Sequence, residues 1–461
     1  MATEGIDLDR PTQPLDREAI ARIEVGHTNV SPGVAHVLVG WFLLMLAVLP
    51  LTETVGGTRA GDVAGPWTHL AGIPDAIDRR LAELKLRATG GEAEEPSAWR
   101  RLVTANRAVL ERMNAFESAL EDQSAVGRAL RPQAQRVLSG WLGAGNERVY
   151  IGRDHWLFYR PDVEYVTGRG FLDPRVLDRR VARASEYEGL PHPDPRPAIR
   201  QFARDLAARG IALVLVPTPV KPTVHPGELA SRFEARSDLP LHNASYDAFV
   251  EEMRREGLLV FDPSAEMARR RAAGAPQYLL TDTHWRPEAM QGVAEALAAF
   301  VQQHVTLPPI ASPGYEVERR EVQHTGDTAA MLDLPPEQTL YTAERVTLGF
   351  VVDAAGDPWR PSRDTDVLVL GDSFANMYSL ATMGWGEAAG LVEHFSYALQ
   401  RPVDRIVQND DGAHATRDLL RLDVGGAIDR LAGKRVVVWQ FAARELAFGD
   451  WKIIEIPGSP P

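Results

Sequence analysis

The chain is 461 residues long, 44% hydrophobic and 25% charged, with a formal net charge of −13. That length accommodates two or three domains with a large core, and the composition excludes a disordered or low-complexity chain. The acidic balance argues against nucleic-acid binding, which needs a basic face, and the absence of cysteine excludes disulfides, thiolate nucleophiles and cysteine-ligated zinc.

Residues 1–32 are polar, carry Pro11 and Pro14, and read as a short cytosolic tail. Residues 33–51, GVAHVLVGWFLLMLAVLPL, contain no Asp, Glu, Lys or Arg. At about 1.5 Å per residue this run spans about 28 Å, close to one bilayer core. It is too apolar on every face for an amphipathic helix buried on one side. The long polar lead, and the lack of a small-x-small site close behind, disfavour a cleaved signal peptide. We expect an uncleaved transmembrane signal anchor. Arg10, Arg17 and Arg22 precede it and only Arg59 follows closely, which places the N-terminus in the cytoplasm and the rest of the chain outside it.

Residues 52–95 are rich in Gly, Ala and charge, and the stretch 90–96 reads as a loop. From residue 97 to about 121 the pattern is helical, with Leu102, Val109, Met113, Phe116 and Leu120 on one face. A shorter helix is expected over 132–142. Together, residues 52–146 read as a helical stalk or cap.

Beyond residue 146 strands and helices alternate. Strands are expected over 148–151, 156–159, 211–216, 258–261, 366–370, 403–407 and 435–440. Helices are expected over 198–209, 243–255, 287–303, 387–399 and 417–431. Continuous apolar strands such as 211–216 are those of a sheet buried on both faces. Alternation of this kind predicts a mostly parallel sheet with helices on both faces over 147–452, and a short tail over 453–461. Residues 304–365 are less regular and proline-rich, as an insertion would be. No internal repeat is present.

Two short motifs about ninety residues apart carry the chemistry. Thr281-Asp282-Thr283-His284-Trp285 supplies a carboxylate and an imidazole, and Gly371-Asp372-Ser373 supplies a hydroxyl. A serine hydroxyl attacks an acyl carbon at neutral pH only when an imidazole takes its proton. The imidazole in turn needs a carboxylate to hold its tautomer and stabilise its cation. Asp282, His284 and Ser373 fit those roles. Ser373 follows a buried strand, where a doubly wound sheet binds ligands, and a helix starting there aims N–H groups at a developing oxyanion.

Each motif has a plainer reading. Gly-Asp-Ser after a strand is often a turn with an N-cap, and Asp-x-His is often a structural pair. His284 beside Asp282 is also a potential metal ligand, but no HExxH-like spacing supplies further ligands. It is the joint occurrence of the two motifs that favours catalysis.

In their joint order these motifs resemble the SGNH hydrolase-like domain of the alginate O-acetyltransferase, AlgX/AlgJ-type, family. Here Asp-x-His precedes the serine, as it does in that family. The segments 152–162 (GRDHWLFYRPD), 216–222 (VPTPVKP), 281–287 and 437–446 (VVWQFAAREL) resemble further family motifs. The resemblance covers about 147–452. It implies an SGNH/flavodoxin-like α/β fold and an enzyme at the inner membrane, with its catalytic domain in the periplasm. It implies transfer of acetyl groups to hydroxyls of an exported polysaccharide through an acetyl-serine, with no cofactor and no metal. Ser373 would be nucleophile, His284 base and Asp282 its orienter. The implied partners are the polysaccharide acceptor and a membrane-bound O-acyltransferase that donates acetyl. Alternative readings are a polysaccharide O-acetylesterase and a non-catalytic glycan-binding scaffold. The acidic balance speaks against alginate itself as the polymer.

Further candidates remain open at this level. Asn376, Asn409 or a backbone N–H would complete an oxyanion hole. Lys221 and Arg444 are candidate contacts to sugar or a partner, against a surface or structural salt bridge. Trp285, Trp385 and Trp439 are candidate sugar-stacking faces, against core packing.

Overall fold

The computed structural model describes residues 31–44, 67–89, 97–123, 125–182, 191–236, 238–409, 412–425 and 429–456. Of the expected membrane span 33–51, residues 33–44 lie in a helix with most side chains exposed; residues 45–51, like residues 1–30 of the expected tail 1–32, lie outside the described residues. Among the described residues no helix is long and apolar enough to cross a membrane. The expected loop at 90–96 and residues 457–461 also lie outside them.

The chain divides into two compact units, Met1–Arg131 and Pro132–Pro461. In the first, helix Ile73–Thr89 packs against helix Ala98–Gln123. The pair is joined by an ion pair between Arg80 and Glu111 at 3.2 Å. Periodicity predicts the second helix. It does not single out the first, although Ile73, Ile77, Leu81 and Leu84 repeat at helical spacing inside a stretch dominated by charge.

In the second unit, β1 (Val149–Ile151) and β2 (Leu157–Tyr159) form an antiparallel hairpin. Five strands then make one parallel sheet in the order β4-β3-β9-β7-β8: β3 (Ala212–Thr218), β4 (Leu259–Val260), β7 (Val367–Gly371), β8 (Asp404–Val407) and β9 (Val436–Ala442). All five fall within a residue or two of expectation; β3, β7 and β9 do so because a strand buried on both faces is largely apolar, whereas β8 is half polar and alternates in burial.

Alternate residues of each strand face opposite layers. Val214, Val216, Val369 and Val438 pack with helices Pro287–His304 and Leu391–Leu399. Leu213, Leu215, Leu370 and Trp439 pack with helices Pro195–Ala207, Tyr246–Arg255 and Ala415–Val424. Each fully buried Val or Leu stabilises the fold by roughly 1.5–3 kcal/mol relative to exposure. Helix Pro195–Ala207 starts sharply because Asp194 accepts the Arg196 N–H and Pro195 occupies the first turn. The helix expected over 417–431 is described from Ala415 to Val424.

The irregular segment 304–365 is not loop throughout. It forms an antiparallel ribbon of β5 (Glu316–His324) and β6 (Glu344–Val352), with the short helix Asp327–Met331 between them. Strand β5, EVERREVQH, is mostly exposed and charged, so it has neither the apolar run nor the clean alternation that marks a strand.

Candidate active site

The carboxyl ends of three adjacent strands converge. Lys221 follows β3, Gly371-Asp372-Ser373 closes β7, and Arg444 follows β9. This is the edge at which an open parallel sheet binds ligands.

The Gly-Asp-Ser turn is clamped by buried Gln440 on β9. Gln440 Oε1 accepts the Asp372 N–H at 3.0 Å, and its Nε2 donates to Asp372 Oδ1 and to Thr218 Oγ1, each at 2.9 Å. Asp372 also accepts from Phe374 N, capping the short helix Ser373–Asn376, and from Ala442 N. Position 371 admits only glycine for a packing reason: an added Cβ would lie 2.7 Å from Ala375 Cβ and 3.2 Å from Gln440 Oε1. The Ser373 N–H opens the helix and has no hydrogen-bond partner among the described residues.

The Asp-Thr-His segment is held from three directions. Lys221, fully buried, donates through Nζ to the carbonyls of Leu157 (2.5 Å), Leu280 (2.9 Å) and Asp282 (3.0 Å). Glu344, at the start of β6, accepts from Leu280 N, Thr281 N and Thr281 Oγ1. Asp327 accepts from Thr283 N and Thr283 Oγ1 through one oxygen. Gly326 must be glycine, since a Cβ there would sit 2.2 Å from the Thr281 carbonyl oxygen.

Held in this way, Asp282, His284 and Ser373 form a continuous hydrogen-bonded chain. His284 Nδ1 lies 2.7 Å from Asp282 Oδ1, and His284 Nε2 lies 2.9 Å from Ser373 Oγ. With Asp282 accepting from Nδ1–H, Nε2 is left to accept the serine proton. Asp282 Oδ2 accepts from Trp385 Nε1 (3.1 Å) and Asp327 N (3.2 Å). Burial pushes the Asp282 carboxyl up, but hydrogen bonds from His284 and Trp385 outweigh it and hold the group at about 2. Burial pulls the His284 imidazole down, yet Asp282 and then Asp327 raise it above 6.5. The result is a base with a fixed tautomer, directed at a hydroxyl.

Asp282, His284 and Asp327 also bring three ligand-type atoms within 4.8 Å of one another. Two of these atoms, His284 Nδ1 and Asp282 Oδ1, are joined by the 2.7 Å hydrogen bond of the Asp-His-Ser chain.

Several candidates take the plainer of the two readings left open by the sequence. Lys221 has no exposed surface and its ammonium is bound by three carbonyls, so it fastens the loop and does not face a sugar. Burial lowers its pKa to about 8. Trp285, Trp385 and Trp439 are at most 1% exposed and offer no stacking face. Trp285 packs edge-on against Phe374, Trp385 orients Asp282, and Trp439 belongs to the opposite core layer with Phe202 and Trp451. Arg444 stays at the site. Its Nη1 meets buried Asp162 at 3.0 Å, and it borders a cavity of about 50 Å³ beside Ser373, shared with Gln408, Asn409 and Glu445. Asn376 Nδ2 donates to Asn409 Oδ1 at 2.9 Å, so the two candidate oxyanion residues act as a pair near the serine.

Asp162, Asp327, Glu344 and Gln440 are not singled out by the sequence. Asp162 lies in the segment 152–162 and Gln440 in 437–446, so both are within reach of the motifs. Asp327 and Glu344 sit in the irregular segment, where no local pattern points to the site.

Residues 149–443 match the family described as SGNH hydrolase-like domain, acetyltransferase AlgX. The chain belongs to this family. The AlgX-type domain therefore spans the hairpin, the parallel sheet, the ribbon and both motifs. The chain is 26% identical over 308 residues to a probable alginate O-acetylase AlgJ of Pseudomonas aeruginosa, covering 66% of this chain and 71% of that protein. It is 26% identical over 313 residues to the Pseudomonas putida AlgJ, with the same coverages. Among solved structures it resembles the O-acetyltransferase domain of Pseudomonas putida AlgJ, with a TM-score of 0.48 and 19% identity, covering 66% of this chain and 93% of that one. The domain has the SGNH-like α/β fold with a parallel sheet expected from the motifs.

Proposed function

We propose that the protein is a polysaccharide O-acetyltransferase working through an acetyl-Ser373 intermediate. The observation that carries this reading is the Asp282–His284–Ser373 chain, with contacts of 2.7 and 2.9 Å at the carboxyl edge of the sheet. Membership of the AlgX family and likeness to AlgJ proteins named as probable alginate O-acetylases support transfer to a polysaccharide.

In the first half-reaction, Ser373 Oγ attacks the carbonyl carbon of an acetyl donor while His284 Nε2 takes its proton. The forming imidazolium is stabilised by Asp282. The oxyanion is received by the Ser373 N–H, which has no partner among the described residues, with the Asn376–Asn409 pair beside it. Collapse expels the donor's leaving group, which takes the proton from His284. In the second half, a sugar hydroxyl gives its proton to His284 and attacks the acetyl carbon. The C–O bond to Ser373 breaks, and Oγ recovers the proton.

In this reading the donor is a membrane-bound O-acyltransferase, the acceptor an exported polysaccharide, and residues 33–51 an inner-membrane anchor with the domain in the periplasm. The test is to incubate the full-length chain in detergent with a chromogenic acetyl ester and candidate oligosaccharides, and to weigh the sugars by mass spectrometry. Acetylated oligosaccharide is expected, with slow acetate release when no acceptor is present. Acetate release unchanged by any glycan, together with deacetylation of acetylated polymer, would assign an esterase. Glycan binding without acylation of Ser373 would assign a scaffold.

A further inference from the structure

The chain places a second carboxylate against His284. Asp327 opens the short helix between β5 and β6, and its Oδ2 lies 3.7 Å from His284 Nδ1, the nitrogen that Asp282 holds at 2.7 Å. It is not a stray surface acid. Its Oδ1 accepts from Thr283 N at 2.7 Å and Thr283 Oγ1 at 3.0 Å, and its own N–H donates to Asp282 Oδ2 at 3.2 Å. Its side chain is about one-third exposed, so part of it meets water. Capping a short helix needs none of this: the helix N-cap is Gly326, and Asp327 faces the Asp-Thr-His loop instead.

We propose that Asp327 is a positioning residue of the reaction, a second anion that steadies the His284 imidazolium formed when Ser373 loses its proton. The proposal rests on the acetyl-serine reading and deepens it. Asp282 fixes the tautomer through a direct hydrogen bond. Asp327 acts through space on the same nitrogen and through Thr283 on the loop that carries it. Two anions beside one imidazole favour its cation more than one does. Their mutual repulsion is offset while His284 is charged, so the pair favours the protonated base over the resting neutral one.

The other charged groups facing this cluster are accounted for. Lys221 lies behind the Asp282 carbonyl, Glu344 holds Thr281, and the Arg444–Asp162 pair approaches His284 from β9 and the helix after β2. His324, at the end of β5, stacks edge-on to Trp385. Burial, and then repulsion from Asp282, raise the Asp327 carboxyl above its usual range, and its one-third exposure to water limits the rise. Its charge is therefore present at neutral pH and lost in mild acid, which makes the effect visible in a pH profile.

The experiment measures the second-order rate of Ser373 labelling by phenylmethylsulfonyl fluoride between pH 5 and 9, in the full chain, for wild type, Asp327→Asn and Asp327→Ala. Labelling requires only Ser373 and His284, and needs no acetyl donor or glycan: Oγ attacks sulfur, fluoride leaves, and His284 takes the proton. Asparagine keeps an oxygen to accept from Thr283, so it removes the charge and preserves the loop. The expected result is an acid limb moved down by about one pH unit and a plateau rate reduced roughly three- to tenfold in Asp327→Asn, with Asp327→Ala at least as slow. An Asp327→Asn profile matching wild type, while Asp327→Ala alone is slow, would make Asp327 a purely structural acceptor and overturn the proposal. Absence of labelling at Ser373 in the wild type would overturn the acetyl-serine reading, and this proposal with it.

Discussion

Asp372 and Gln440 hold each other in both directions. The Asp372 N–H donates to Gln440 Oε1 at 3.0 Å, and Gln440 Nε2 returns a bond to Asp372 Oδ1 at 2.9 Å. The serine therefore sits on a turn whose conformation is set by the neighbouring strand, not by the turn alone.

This reciprocity predicts the effect of Gln440→Leu. The substitution keeps bulk but leaves the Asp372 N–H and Thr218 Oγ1 without their partner. A buried polar group deprived of its bond costs roughly 1–3 kcal/mol. Misplacing a nucleophile by about 1 Å can cost roughly 10²-fold in rate. We expect a modest fall in Tm and a loss of ester hydrolysis disproportionate to it, measured by calorimetry and a chromogenic ester. Activity that merely tracked the stability loss would count against a positioning role.

The Arg444–Asp162 pair predicts an asymmetry. Asp162 is fully buried, whereas the Arg444 side chain is 16% exposed. Burial already raises the Asp162 pKa against the pull of Arg444. Arg444→Leu strands a carboxylate that has no water to turn to, a change of the kind that costs roughly 3–5 kcal/mol. Asp162→Leu leaves a cation that reaches the cavity beside Ser373 and should cost less. Urea melts of the two variants compare them; equal or reversed costs would contradict the argument.

The buried tryptophans predict a stability phenotype, not a binding one. Trp285→Ala removes a side chain with no exposed surface and should destabilise by about 3–5 kcal/mol. Trp385→Phe keeps the packing but deletes the 3.1 Å bond to Asp282, so it should lower kcat more than Tm. A raised KM for glycan with unchanged Tm in Trp285→Ala would restore the sugar-stacking reading.

Asp282 and His284 predict pH dependences of opposite sign. The folded Asp282 pKa, about 2, lies below the unfolded value of about 3.9. Its stabilising contribution is full above pH ~4 and is lost as pH falls through about 2. His284 is raised above 6.5, so its contribution is full below its unfolded pKa and is lost as pH rises through the folded value. Catalysis needs neutral His284, so the acid limb of kcat/KM should lie above pH 6.5. Asp282→Asn should flatten the acid unfolding curve between pH 4 and 2 and reduce kcat by roughly 10⁴-fold. An acid limb well below pH 6 would show that His284 is not the base.

The parallel sheet is legible in the sequence because its strands are apolar on both faces. When helices cover both sides, no alternation of apolar and polar residues is needed, and Leu213 to Val216 is a plain run of that kind. The two motifs are legible because Gly371-Asp372-Ser373 and Asp282-Thr283-His284 each compress their geometry into three residues. What is not legible is what holds them. Asp327 reaches Thr283 across forty-four residues, and Gln440 reaches Asp372 across sixty-eight. Neither spacing leaves a local trace. The ribbon of β5 and β6 reads as irregular because β5 buries little, yet it delivers Glu344 and Asp327 to the site. Lys221 and the tryptophans stay open in the sequence for the converse reason. Charge and aromatic area at a motif look like binding groups until burial shows them to be internal.

The acetyl-serine intermediate is the claim on which the account stands. The most direct measurement is intact-protein and peptide mass spectrometry of the full chain quenched during turnover of a chromogenic acetyl ester, beside Ser373→Ala and His284→Ala. The account predicts one added acetyl group located on Ser373 in the wild type, its loss on adding a competent oligosaccharide, and no adduct in either variant. Acetyl found on another residue, or turnover by Ser373→Ala at near wild-type rate, would contradict it.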